Sequence, residues 1–381
     1  MGSLLREMGA KALKLGIPLN VQLDLTYRCN ERCVHCYLDH DDHGEMTTDE
    51  IKVLLDQMAG AGVLFLILSG GEIFLRRDLF DIVEHARART FSVKLKTNAV
   101  MIDRAMAERI AALDVESVQV SVYSHRAEVH DAITRLPGSF ERTIDGARLL
   151  KASGVRVSFA NILMTHNASD YASVRALAKS LGMECTVDPT VTPMMDGRRS
   201  NLVLNVDAGT LAKVVHDADL VGRTEEFCAP PAGPLEEKDA LEMLPCSAGH
   251  TACYVSPYGD VYPCVQFPLT VGNVRTAAFA DIWRNSPQLR ELRSITMYDL
   301  EGCSICVHGS SCSRCPGLAY LEGNMRGPSV QDCEKSFART GVAPQPLVAR
   351  AAGALRPEPP GTDGPPPPPE AVSPAGLIPQ G

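Results

Sequence analysis

Residues 20–36 read NVQLDLTYRCNERCVHC, and the rest of the chain is organised around this stretch. Val21, Leu23 and Leu25 fall on one face of an alternating run, which predicts a strand over Asn20–Thr26. Directly after it come Cys29, Cys33 and Cys36 in a C-x3-C-x2-C spacing. Three thiolates on one short loop can each hold one iron of a [4Fe–4S] cubane and leave the fourth iron open to a ligand. A fourth cysteine would close the site and suit it only to structure or electron transfer. Zinc is the alternative, because closely spaced cysteines often hold it. Zinc wants a fourth ligand nearby, and His35, inside the triplet, is badly placed to be one.

Outward from this loop, strands and helices alternate to about residue 220. Thr47-Thr48-Asp49-Glu50 is a capping box, followed by Ile51, Leu54, Leu55 and Met58 at helical spacing. Val63–Leu68 is a continuous apolar run suited to a strand buried on both faces. Strands follow at Phe91–Lys96, Val115–Val122, Val155–Leu163 and Met183–Val187. The helices fall near Asp78–Arg89, Asp103–Leu113, Phe140–Gly154, Asp170–Leu181 and Asp207–Ala218. Six strand–helix units predict an α/β fold built as a parallel sheet or partial (β/α)6 barrel over residues 20–225.

Helical periodicity then fades, and cysteine, glycine and proline rise over residues 226–340. Ser256-Pro257-Tyr258-Gly259-Asp260 reads as the turn of a small β-hairpin, and Asp281–Leu292 as a short helix carrying Trp283, the one tryptophan. Residues 341–381 form a Pro-, Gly- and Ala-rich tail expected to be disordered. Residues 1–19 are an N-terminal extension in which Leu4, Leu5, Met8 and Leu13 mark an amphipathic helix, expected to pack on the domain.

The 381 residues carry 37 Lys plus Arg against 46 Asp plus Glu, a net charge of −9, which argues against a nucleic-acid footprint. No apolar run approaches the roughly 20 residues that cross a bilayer. The start lacks a signal-peptide core, and Arg6 breaks the myristoylation pattern that Gly2 would open. Thirteen cysteines without an export signal therefore indicate a cytoplasmic protein that ligates metal rather than forming disulfides.

Eight of those cysteines lie in the C-terminal region: Cys246, Cys253, Cys264, Cys303, Cys306, Cys312, Cys315 and Cys333. Two sets of four saturate two [4Fe–4S] clusters or, equally, two zinc ions. Cys185, within a strand, reads as a small buried hydrophobe, and Cys228 as a packing residue in a loop. His125, His130 and Asp131 read as helix-start residues. Of Lys94 and Lys96, at least one reads as a surface charge.

The triplet, with aromatic Tyr37 after it, resembles the signature of the radical S-adenosylmethionine (SAM) superfamily. Ser69-Gly70-Gly71-Glu72 resembles that family's GGE segment, with Ile73 where a proline is usual. Thr97-Asn98 and Ser121 resemble its contacts to ribose and methionine, and Val187-Asp188-Pro189 its adenine-side segment. All fall at C-terminal ends of successive predicted strands, where parallel barrels build their sites. The resemblance implies that Tyr37, Gly70, Gly71, Glu72, Asn98 and Ser121 bind SAM, and that Cys29, Cys33 and Cys36 hold the cluster that cleaves it. The product would be a 5′-deoxyadenosyl radical that abstracts hydrogen.

The later cysteines resemble a SPASM domain, as in maturases of the PQQ-precursor type. This implies one auxiliary [4Fe–4S] cluster on Cys246, Cys253, Cys264 and Cys315 and another on Cys303, Cys306, Cys312 and Cys333. It further implies an oxidoreductase that crosslinks, rearranges or oxidises a ribosomally made precursor peptide, with a separate leader-peptide-binding protein and a flavodoxin- or ferredoxin-type reductant as partners. Two alternatives stand beside it: a radical SAM enzyme acting on a tetrapyrrole or a sulfatase residue, and a non-enzymatic zinc or Fe–S protein.

Overall fold

The computed structural model describes residues 2–234, 243–309 and 311–345. Most of the expected tail, residues 346–381, lies outside the described residues. Six strands, β1 (Asn20–Thr26), β2 (Phe65–Gly70), β3 (Ser92–Thr97), β4 (Ser117–Ser121), β5 (Val157–Ile162) and β6 (Glu184–Asp188), pair in parallel in chain order. The chain opens with helix α1 (Gly2–Leu15). The crossovers carry α2 (Thr48–Gly60), α3 (Leu79–Ala88), α4 (Arg104–Ala112), α5 (Ala127–Thr134) with α6 (Ser139–Ala152), and α7 (Tyr171–Ser180). Helix α8 (Ala208–Val215) follows β6. This is the partial barrel the alternation predicts.

The outward faces of the strands hold the barrel together. Val21, Leu23, Leu25, Leu66, Leu68, Val93, Val118, Val120 and Phe159 are sealed against α2–α6 residues such as Ile51, Leu55, Ile82, Ile110 and Leu150. Each such side chain contributes about 1.5–3 kcal/mol by leaving water. The capping box forms: Glu50 N–H donates to Thr47 Oγ1 at 3.2 Å and Thr47 N–H to Glu50 Oε2 at 2.7 Å. The inward faces are different, carrying Gln22 and Asp24 on β1, Lys96 on β3, Gln119 and Ser121 on β4, and Thr186 and Asp188 on β6. Closed barrels fill this space with apolar layers; here it stays open.

The cysteine-rich region does not form a sheet of its own. Its strand β7 (Ala252–Val255) pairs in parallel with the free edge of β1, Val21 opposite Cys253 and Leu23 opposite Val255. The hairpin strands β8 (Asp260–Tyr262) and β9 (Gly272–Asn273) follow antiparallel, giving one sheet of nine strands. At the other end of the region, helix Val330–Thr340 packs on α8, and Lys335 Nζ donates to Thr190 Oγ1 at 2.8 Å just beyond β6. The region thus extends the sheet at β1 and packs on α8 and the segment after β6, while β6 itself stays an unpaired edge among the described residues. Its packed chain runs on to Gln345, whose Oε1 accepts the Val307 N–H at 2.9 Å.

Three local expectations are corrected. The helix expected over Asp281–Leu292 is two helices, Phe279–Asn285 and Pro287–Arg293, because Pro287 has no N–H to continue the first and Ser286 caps the second. Helix α5 was not anticipated by the sequence pattern, because its buried face is His130, Ile133 and Thr134 and no apolar stripe marks it. In α1, Leu4, Leu5 and Leu13 of the expected stripe stand exposed and Met8 is half-buried, so most of the stripe does not pack on the described domain. No helix among the described residues is long and apolar enough to cross a membrane.

Candidate active site

The loop carrying Cys29, Cys33 and Cys36 is braced from both sides by backbone. On one side, Gly71 N–H donates to Thr26 O at 2.8 Å and Glu72 N–H to Arg28 O at 2.9 Å. This approach explains the paired glycines. A Cβ on Gly70, at φ +133°, would stand 2.2 Å from Thr26 O, and one on Gly71 2.3 Å from Arg28 O. On the other side, Arg32 and Val34 N–H donate to Thr134 O and Ile133 O at the end of α5. Asn98 Nδ2 donates to Asn30 Oδ1 at 2.7 Å, tying the loop to the end of β3.

Above the strand ends lies a cavity of about 320 Å³, within the size range of small-molecule sites. Cys29, Cys33, Cys36, Tyr37, Gly70, Gly71, Asn98 and Ser121 all line it. Glu72 does not. Its fully buried carboxylate accepts from Asn98 N–H (2.9 Å), Phe74 N–H (3.1 Å) and the Thr97 hydroxyl (2.8 Å), so it locks the loops after β2 and β3 together from behind the wall.

The three thiols are unpaired, and burial pushes them up, Cys29 to about 12 and Cys36 to about 11. Iron would reverse that, since a coordinated thiol gives up its proton to the metal's charge. Among the described residues no three His, Cys, Asp or Glu side chains converge on a point fit for one ion. Zinc needs such a point, with ligands about 2.0–2.3 Å from one centre, whereas a cubane takes each thiolate on a different iron. The triplet fits the cluster. It would hold three of the irons, and the Gly70–Gly71 backbone, Tyr37, Asn98 and Ser121 would contact SAM at the open one.

Several lining residues were passed over in the sequence. His35 packs edge-on against Tyr123 at 4.8 Å between ring centres, and burial lowers its pKa to about 4, so it is neutral. Glu31 turns its carboxylate inward beside the triplet, Oε2 taking the Cys33 thiol at 3.4 Å. Asp24, fully buried, accepts from Gln22 Nε2 (3.0 Å), Tyr254 OH (3.0 Å) and Tyr37 OH (3.3 Å), and burial raises its carboxyl to about 6. Tyr254 lies on β7, so this network joins the triplet side of the cavity to the cysteine-rich region. Only Asp24 had a signal in the sequence, as a polar side chain two positions after Gln22 in the otherwise apolar β1; Glu31 and His35 lie on the cysteine loop, where no period marks them. His130 and Asp131 have local roles. His130 Nδ1 accepts the Tyr123 N–H, and Asp131 accepts from Gly138 N–H and Phe140 N–H at the start of α6.

The C-terminal cysteines gather in two places. Cys303, Cys306, Cys312 and Cys333 line one small cavity of about 30 Å³ with His308 and Arg314. Cys246 lines a small pocket with Arg314 and Pro316, the chain neighbours of Cys315, while Cys253 lies on β7 and Cys264 just after β8 of the adjoining hairpin. Cys253 sits on β7 in the apolar core, where burial raises its thiol strongly. The Cys315 thiol donates to Gln266 Oε1 at 3.7 Å, and Gln266 itself lines the main cavity. The second gathering therefore borders the SAM-side cavity. Cys185 and Cys228 belong to neither; Cys185 packs in part against the core, and the Cys228 thiol donates to Val215 O at 3.3 Å.

Comparison with known proteins agrees with this geometry. Residues 23–178 match the radical SAM superfamily, and residues 246–316 match SPASM, an iron–sulfur cluster-binding domain. The AdoMet-dependent heme synthase of Methanosarcina barkeri is 30% identical over 324 residues, 80% of this chain and 92% of that protein. The mycofactocin maturase MftC of Mycobacterium ulcerans is 30% identical over 359 residues, 89% of this chain and 95% of that protein. Streptococcus suis SuiB, crystallised with its precursor peptide SuiA, shares the fold at a TM-score of 0.67 and 17% identity, over 86% of this chain and 79% of that one. With its cysteine triplet at the mouth of a partial barrel and a second cysteine-rich region joined to that barrel, the chain belongs to the radical SAM superfamily with a C-terminal SPASM domain.

Proposed function

We propose that this radical SAM/SPASM enzyme matures a ribosomally made peptide. The observation that carries the reading is the open edge of the barrel. Glu184, Thr186 and Asp188 on the inner face of β6 are exposed, so the cavity can be reached from the side by an extended chain. The similarity to a mycofactocin maturase across 89% of the chain supports it.

Bound at the triplet, cluster and SAM supply hydrogen-atom abstraction. The chain's own part is to hold, orient and shield. Cys29, Cys33 and Cys36 anchor the cluster, Gly70 and Gly71 bring backbone to SAM, Glu72 fixes those loops, and Tyr37 and Ser121 border the reacting centre. Cys246, Cys253, Cys264 and Cys315 would hold one auxiliary cluster beside the cavity, and Cys303, Cys306, Cys312 and Cys333 a second farther out, toward a flavodoxin- or ferredoxin-type donor in a reducing cytoplasm. A separate protein would present the leader peptide.

A tetrapyrrole substrate is the second reading, favoured by the heme synthase at the same 30% identity. The test is 5′-deoxyadenosine formation by reconstituted enzyme with SAM and a strong reductant, with either a short peptide encoded beside the gene or a propionate-bearing iron porphyrin added. Stimulation and a mass change in the peptide support the first reading. Stimulation by the porphyrin alone replaces it with the second.

A further inference from the structure

Deep in the cavity, below the SAM-side loops, stands one lysine. Lys96 lies two residues before Asn98 on β3, roughly 6–7 Å farther into the barrel by strand geometry. It lines the cavity, and it is the only Lys or Arg among the residues that do. Its Nζ donates one hydrogen bond, to Gln22 Oε1 at 3.2 Å. Gln22 is fixed in turn, its amide donating to Asp24 Oδ1 at 3.0 Å, so the carbonyl that Lys96 meets is held in place. An ammonium has three N–H donors, and Lys96 makes no direct ion pair with a described carboxylate. Burial lowers its pKa, opposed by the more distant Asp24, Asp188 and Cys264. Gln266, which takes the Cys315 thiol, lines the same cavity, so the ammonium and the cysteine-rich region share its wall.

Lys96 is half-buried, and a cation partly withdrawn from water with one neutral partner and no ion pair is poorly compensated. The arrangement is understandable if a ligand brings the anion. The residues that would meet SAM lie higher, at the strand termini, which leaves this depth to the substrate. The inference rests on the substrate-modifying reading above and narrows it. We infer that Lys96 is a specificity residue that binds a carboxylate of the substrate and holds it in the depth of the cavity, below the strand termini. The carboxylate can be the α-carboxylate of a peptide chain end or a side-chain carboxylate, of a residue or of a propionate.

Fluorine NMR of small carboxylates tests this without knowing the substrate. The reconstituted, SAM-loaded enzyme is titrated with trifluoropropionate, which mimics a side-chain carboxylate, with N-trifluoroacetylglycine, which mimics a chain end, and with neutral trifluoropropionamide. Wild type and Lys96→Arg should broaden the line of at least one carboxylate but not of the amide. Lys96→Met, at equal iron content, should reduce that broadening about tenfold, the loss expected for a charge-assisted hydrogen bond. The carboxylate with the stronger Lys96-dependent effect identifies the source. Equal broadening by the amide, broadening unchanged in Lys96→Met, or none in wild type overturns the proposal. So does an affinity for SAM about tenfold weaker in Lys96→Met with carboxylate broadening retained, since Lys96 would then serve the methionine carboxylate. 5′-deoxyadenosine formation by wild type is measured alongside. If SAM is cleaved but no carboxylate depends on Lys96, only this inference falls; if SAM is not cleaved, the functional reading fails first.

Discussion

The two cysteine-bearing regions are assembled in opposite ways. The N-terminal triplet sits within eight residues, on a loop held by backbone bonds from Gly71, Glu72, Ile133 and Thr134 that do not involve the thiols. The C-terminal set is drawn from segments as far apart as Cys246 and Cys333, which only the packing of β7, the hairpin and the last helix brings together. A site prepared by its scaffold can lose its metal and keep its shape. A site that gathers distant segments gains folding free energy from the metal that closes it. The first region is thus preorganised without its metal, and the second would be fastened by the iron–sulfur binding that its SPASM domain implies.

The sharpest way to break this comparison is to remove one thiol from each region. Cys36→Ala should abolish SAM cleavage, by at least about a thousandfold, while circular dichroism and the melting temperature stay close to wild type. Retained cleavage would sink the assignment of the triplet. Gly71→Ala attacks the scaffold instead of the ligand. Its Cβ has backbone at 2.3 Å and nowhere to go, so a loss of about 3 kcal/mol or a displaced loop is expected, read as lower denaturant midpoint and weakened SAM binding. A fully stable, SAM-binding variant would show that the bracing is not needed.

Cys306→Ala should act in the reverse sense to Cys36→Ala. Iron content should fall by roughly four per chain, and residues 297–345 should become the first segment cut in limited proteolysis, with the barrel resistant. Protection equal to wild type would remove the fastening role. The smallest effect concerns the network that links the regions. Asp24 titrates near 6 when folded, above its ordinary 3.8. A raised carboxyl favours the folded state while protonated, so stability declines as pH rises from about 4 to beyond 6. Between pH 5 and 7.5, wild type should lose about 1 kcal/mol that Asp24→Asn does not lose. Parallel pH profiles for the two would mean that Asp24 is ionised freely in the fold.

Much of this molecule could be read directly. The alternation of β1, the capping box at Thr47 and the βα beat set out the six-strand barrel, because burial on one face and helix-start chemistry are local properties. The triplet and Gly70–Gly71 were also local, since three ligands on a loop and a tight backbone approach leave their residue types in sequence. Helix α5 was lost because it buries His130 and Thr134 beside a single aliphatic residue, Ile133, and the break at Ser286-Pro287 because an apolar stripe continued through it.

What the sequence by itself determined is therefore the barrel, its strand ends and the chemistry of the loop after β1. Tertiary structure alone decided that β7 extends the barrel sheet at β1, that Glu72 faces away from the cavity, that Lys96 points into it, and which distant cysteines meet. The physical reason is one of range. Periodicity reports which face of an element is buried, but a strand inside a barrel has two buried faces, and only closure of the sheet settles which polar side chains share the interior.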